Sequence, residues 1–146
     1  MKRSVDIVIK ELIKKIGRKL SLLEIINMIY LLNWYSTLVD DEYYTEEFDW
    51  FTNPICAVSN SLEKRILSKN IFTINKVNNI DFVSEVDVQN YEKLTPREEA
   101  YLDLIIEKYN DDIDNIIRLV KASYPFEKGI MNAKIDLLKL AKEYKQ

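Results

Sequence analysis

Ser21-Leu22-Leu23-Glu24-Ile25-Ile26-Asn27-Met28-Ile29-Tyr30-Leu31-Leu32-Asn33-Trp34-Tyr35 is the stretch on which the fold turns. Its first four residues form a capping box, in which the Ser21 hydroxyl accepts from the Glu24 N–H and the Glu24 carboxylate accepts from the Ser21 N–H. The residues after it are apolar on almost every side of a helix, and such a helix is normally buried on most faces. Glu24, Asn27 and Asn33 interrupt the run, which also falls short of the roughly 20 apolar residues a membrane span requires. The stretch is therefore read as the central helix of a domain core.

Upstream, Val5, Val8, Leu12 and Ile16 recur at helical spacing, with Ile9 and Ile13 widening the stripe and lysines opposite. Gly17 supplies a C-terminal cap for a first helix over 4–17. Downstream, Phe48 and Trp50 suggest a short strand. Asn53-Pro54 reads as the N-cap and first position of a helix ending near Asn70. Ile55, Val58, Leu62, Ile66 and Leu67 form its inward stripe. Alternating apolar residues from Phe72 to Val77 and from Ile80 to Val86, around Asn78-Asn79, predict a two-stranded hairpin. Thr95-Pro96-Arg97-Glu98 is a second capping box and opens a helix ending near Asn110, with Leu94 as a staple. A shorter helix follows over Ile113–Val120, Pro125 breaks the chain, and a last helix carries Ile130, Ala133, Leu137, Leu138, Leu140 and Ala141. The expected architecture is a mainly α (α+β) single domain spanning 1–146, with five to six helices and a small β-hairpin or short sheet.

Composition narrows the class. The chain has 146 residues, 47% apolar and 31% charged, with two glycines and three prolines. That is a globular, helix-favouring composition and suits one domain. Cys56 is the only cysteine, so no intrachain disulfide forms and a cytoplasmic setting is expected. Placed within a helix, Cys56 reads as a small buried apolar residue. The first residues resemble neither a signal-peptide core nor a membrane span.

The net charge of −3 conceals an uneven layout. Residues 1–20 hold seven basic side chains against Asp6 and Glu11, whereas 40–49 hold six acids and no base. Residues 98–114 carry seven acids against Lys108, and 121–146 are basic again. Such blocks either complement one another internally or polarise a binding face.

The chain contains no histidine. That removes the commonest general base and the usual metal ligand. Gly17 and Gly129 are too few for a phosphate-cradling loop. The acids at 40–49 lack the spacing of a calcium loop. No catalytic residue, metal site or cofactor is expected. The functional reading rests instead on Tyr43 and Tyr44 amid acids, an aromatic and anionic surface for a basic protein partner. The residues assigned to that surface are Asp40, Asp41, Tyr43, Tyr44, Glu46, Glu47, Phe51 and Asn53. The alternative is a DNA-binding transcription regulator that uses the basic first helix through Lys14, Lys15 and Arg18. A pI near 5.1 and only five arginines weigh against it.

Three blocks carry a family resemblance. They are Ile26-Asn27-Met28-Ile29-Tyr30-Leu31-Leu32, then Phe48-Asp49-Trp50-Phe51-Thr52-Asn53-Pro54, then Leu94-Thr95-Pro96-Arg97-Glu98-Glu99 continued by Leu102-Asp103-Leu104-Ile105-Ile106-Glu107-Lys108-Tyr109-Asn110, with Tyr124-Pro125-Phe126 as a closing element. In order and spacing the chain resembles the Panacea (SocA-like) domain of bacterial antitoxins and of phage and mobile-element proteins. Asn27 stands where that family commonly has lysine, Thr52-Asn53 where it has Tyr-Gly, and Phe126 where it has tryptophan. The resemblance implies a helical domain that neutralises a toxin, or a host or defence protein, by direct binding, or delivers it to a protease as an adaptor.

Overall fold

The computed structural model describes residues 2–68, 71–85, 92–128 and 132–146. The first helix, α1 (Val5–Ile16), buries Val5, Val8, Ile9 and Leu12 completely and ends at Gly17. That glycine lies at φ 85° and returns its N–H to the Ile13 carbonyl at 2.8 Å, a left-handed cap that a side chain would strain. The short strand β1 (Leu20–Ser21) leads directly into the capping box, where Glu24 N–H donates to Ser21 Oγ at 3.1 Å and Ser21 N–H donates to Glu24 Oε1 at 3.0 Å.

The central helix α2 runs over Leu22–Asp40, a turn beyond the apolar stretch that predicts it. It is the one helix among the described residues long and apolar enough to cross a membrane, and 72% of its most apolar window is buried inside the fold. Its two internal asparagines, both fully buried, hold neighbouring backbone in place. Asn33 Oδ1 accepts from the N–H groups of Tyr44 (2.9 Å) and Thr45 (3.1 Å), while its Nδ2 donates to Ile29 O and Thr45 Oγ1. Asn27 Oδ1 accepts from Ala57 N–H at 2.9 Å. Buried backbone donators must find acceptors, and α2 supplies them.

Beyond α2 the structure departs from the expected helix at Asn53-Pro54. Strands β2 (Trp50–Thr52) and β3 (Ala57–Val58) pair antiparallel, Phe51 opposite Val58, and Asn53-Pro54 lies in the turn between them. Asn53 Oδ1 accepts from Ile55 N–H (2.8 Å) and Cys56 N–H (2.7 Å), which an asparagine does as readily in a turn as at a helix start. Ile55 is consequently 65% exposed, and Cys56 is buried in a turn instead of within a helix. The helix α3 (Asn60–Ser68) begins later, with Ser59 Oγ accepting from Leu62 N–H at 3.2 Å; Leu62 and Ile66 face inward while Leu67 is 41% exposed. The expected end at Asn70 lies outside the described residues.

The hairpin forms as expected from β4 (Phe72–Val77) and β5 (Ile80–Glu85), with Asn78 and Asn79 both at positive φ. Val86 lies outside the described residues. β1 joins on β5, Leu20 opposite Val83, giving a sheet in the order β1-β5-β4. The second capping box is also present: Thr95 Oγ1 accepts from Glu98 N–H at 3.2 Å and Glu98 Oε1 from Thr95 N–H at 2.7 Å. It opens α4 (Pro96–Tyr109), followed by α5 (Ile113–Ala122).

Two further expectations are corrected at the C-terminal end. Pro125 does not break the chain but sits in the first turn of a short helix, α6 (Tyr124–Glu127), where its missing N–H costs nothing. The last helix, α7 (Leu137–Tyr144), starts at Asp136, whose Oδ1 accepts from Lys139 N–H at 3.1 Å. Before it, β6 (Lys134–Ile135) pairs with the free edge of β2, so a second sheet runs β3-β2-β6. Backbone pairing and the Asp136 cap outweigh the helical spacing of Ala133; Ile130 lies outside the described residues. With seven helices and two three-stranded antiparallel sheets among the described residues, the fold is α+β and mostly helical. One buried cluster joins α1, α2, α4, α5 and α7.

Candidate interaction face

The acidic segment after α2 is pinned at several points. Asp40, the last residue of α2, accepts from Arg97 Nε at 3.0 Å and from the Tyr101 hydroxyl at 2.8 Å. The Arg97 guanidinium holds the Asp40 carboxyl below the usual range. Asp41 caps α2 at positive φ and ion-pairs with Lys145. Glu46 Oε1 accepts from Val5 N–H at 2.7 Å, supplying the acceptor that Ser4 does not give at the start of α1.

Tyr43 and Tyr44 do not present an aromatic surface: they are 7% and 0% exposed. Asn33 draws the backbone of Tyr44 and Thr45 against α2, and Tyr43, immediately before them, is carried inward with it. Tyr44 donates its hydroxyl to the Glu98 carbonyl at 2.6 Å and meets Tyr101 edge to face. Burial raises its hydroxyl well above the ordinary value. The Tyr43 hydroxyl is pushed up to about 12, again chiefly by burial. Phe51 and Asn53 are half-buried on the β2–β3 hairpin and do not line the same groove as solvent-facing Glu47.

Of the eight assigned residues, the fold gathers two, Tyr43 and Glu47, at one place. Together with Phe48 and Asp49 from the same segment they line a groove of about 440 Å³, and Lys134, Ile135 and Asp136 close its other side. The far wall arrives by the pairing of β6 on β2, which brings residues some 90 positions downstream against the acidic segment. Tyr43 links the two sides, its hydroxyl 3.4 Å from Asp136 Oδ1. Asp49 is held by α3, since its Oδ1 accepts from Ser61 N–H and Ser59 Oγ, both at 2.9 Å. These bonds bring its carboxyl below the usual value against the opposing effect of burial. Among the lining residues three are acidic, Glu47, Asp49 and Asp136, against the single Lys134, and Phe48 and Ile135 add apolar surface. The wall at 134–136 is missing from the sequence-based assignment. Its one local signal is Asp136 before an apolar run, the mark of a helix start that frees the residues ahead of it for a strand.

Much of the N-terminal basic block is answered internally. Arg3 binds Glu98 through Nε at 2.7 Å and Glu92 through Nη1 at 2.6 Å. Burial alone would raise the Glu98 carboxyl; Arg3 and the Thr95 N–H hold it below its ordinary value. Lys15 reaches Asp103 at 3.1 Å, and Arg18 reaches Asp111 at 2.9 Å and Glu24 at 3.1 Å. Lys14 remains solvent-facing. Two of the three cations assigned to a DNA contact are thus neutralised by the acidic block at 98–114 or by the capping-box glutamate. Among the described residues, no group of three or more side chains is placed to hold a metal ion. No protein-family model, no curated protein and no solved structure matches this chain.

Proposed function

We propose that this chain is a cytoplasmic protein-interaction module of antitoxin type. It neutralises a toxin, or a host or defence protein, by direct binding or as a proteolytic adaptor, and its work is binding without catalysis. The observation that carries this reading is the groove between the acidic segment and β6. Its apolar lining residues, Phe48 and Ile135 with Tyr43, would take an aliphatic stem, while Glu47, Asp49 and Asp136 outnumber Lys134 and favour a cationic head. A basic side chain on a partner satisfies both parts. The Panacea resemblance supports the reading because its blocks fall, in order, on α2, on β2 with the following turn, and on α4. A phage or mobile-element setting belongs to the same proposal. DNA recognition by α1 is the weaker alternative, because the acids facing Lys15 and Arg18 would have to be displaced by phosphates.

The test uses Glu47→Lys combined with Phe48→Ala, which spares the capping roles of Asp49 and Asp136. Tagged wild-type and variant proteins are expressed in the native cells, and captured proteins are quantified by mass spectrometry alongside a thermal melt of each bait. A basic protein retained by the wild type and lost from an equally folded variant supports the groove. Equal capture by both overturns it.

A further inference from the structure

A second cavity, separate from the acidic groove, lies where the C-terminal half of α2 meets α6 and α7. It measures about 240 Å³; Trp34, Tyr35, Tyr124, Tyr144 and Glu127 line it together with aliphatic and small side chains from α2 and from α5 and its C-terminal cap. Trp34 is 3% exposed and forms the fixed wall, whereas Tyr144 is 56% exposed and forms the outer one. The rings do not stack flat. Trp34 and Tyr144 stand 6.4 Å apart at 59°, and Tyr124 and Tyr144 stand 5.2 Å apart at 47°. The rings therefore bound the cavity from different directions, which suits a rounded head group better than a flat one.

The charges around the cavity point the same way. Lys128 Nζ lies 5.6 Å from the Tyr124 centroid, so that ring already holds a cation over one face, and Glu143 neutralises Lys128 through an ion pair. Glu127 has no ion-pair partner among the described residues and is the uncompensated charge at the site. Electron-rich ring faces beside a free carboxylate attract an organic cation and gain little from an anion or a neutral group. The volume is below that of a drug-sized pocket and fits a head group alone.

We propose that this cavity is an aromatic cage for an alkylated ammonium group. Two sources offer that chemistry, a free quaternary amine and a methylated lysine side chain of a polypeptide. The inference is independent of the acidic groove, because none of the cage residues lines it.

The test follows the two tryptophan indole resonances of the whole protein by two-dimensional NMR. Trp34 reports on the cage, and buried Trp50 is the internal control. Tetramethylammonium and choline are expected to shift the Trp34 signal saturably, at concentrations about tenfold below any effect of the neutral isostere 3,3-dimethylbutanol. Tyr144→Ala, at a half-exposed position that leaves the core intact, should weaken the response about tenfold, and Glu127→Gln several-fold. A tighter response to N-acetyl-trimethyllysine amide than to choline assigns the polypeptide source, and the reverse order assigns the free amine. An equal response to the neutral isostere, no Trp34 shift with any cation, or unchanged titrations in both variants would overturn the proposal.

Discussion

Replacing Asn33 by alanine tests the reasoning on which the placement of the acidic segment depends. Asn33 is fully buried in α2, and its Oδ1 is the acceptor for the N–H groups of Tyr44 and Thr45, two residues themselves fully buried. Alanine leaves both donors in a dry environment. A buried polar group stripped of its partner costs about 1–3 kcal/mol, so the pair costs about 2–6 kcal/mol. The loss of the Nδ2 donor to Thr45 Oγ1 and Ile29 O adds to this, since water cannot reach either site. Domains of this size are stable by about 5–15 kcal/mol, so the variant should unfold at markedly lower urea concentration and melt well below the wild type. Equilibrium urea denaturation followed by circular dichroism gives the free-energy difference directly. Hydrogen exchange should show the Tyr44 and Thr45 amides losing protection even where the rest of α2 keeps it. A destabilisation under about 0.5 kcal/mol, with those two amides still protected, would refute the account of α2 as the holder of the 43–45 segment.

Other consequences are open to measurement. The Glu98 and Glu24 carboxyls lie below their ordinary values in the folded protein, so the unfolded chain takes up protons first as pH falls. Stability should therefore be full above about pH 4.5 and decline as pH drops through the folded values; a Glu98→Gln variant, compared by urea titration, should be less stable at neutral pH and show a shallower acid slope. Gly17→Ala meets no neighbouring atom but must hold φ 85°, which should cost about 1 kcal/mol in a thermal melt. Asn53→Ala removes the acceptor for the Ile55 and Cys56 N–H groups and should cost about 1 kcal/mol while leaving α3 intact by circular dichroism, because α3 begins at Asn60. If that substitution instead removes a turn of helix, the reading of Asn53 as a turn residue fails.

Features that depend on near neighbours were legible in the sequence. Ser21 with Glu24 and Thr95 with Glu98 each form a capping box whose partners are three residues apart, so no tertiary information is needed to find them. The Asn78-Asn79 hairpin and the Gly17 cap belong to the same class, because the required left-handed conformation is a property of the residue itself. The central position of α2 follows from its lack of a polar face. These features settled a mostly helical domain around one buried helix with a hairpin beside it.

The tertiary structure decided the matters in which two local readings were of nearly equal strength, or in which the partner lay far along the chain. Asn53-Pro54 satisfies nearby N–H groups whether it starts a helix or turns a hairpin, and the pairing of β3 with β2 together with the Asn27 acceptor settled it. The segment at 134–135 became a strand because β2 had an edge to fill, which is a non-local fact. Tyr43 and Tyr44 look like surface residues amid acids, yet Asn33, some ten residues earlier, binds the Tyr44 and Thr45 N–H groups and turns the segment inward. The charge blocks gave two meanings in sequence, and only the approach of α1 to α4 and of the N-terminal residues to Glu98 turned them toward one another. Local chemistry is written in adjacent residues. Burial and pairing depend on which distant segment arrives, and that is set by the packing of the whole chain.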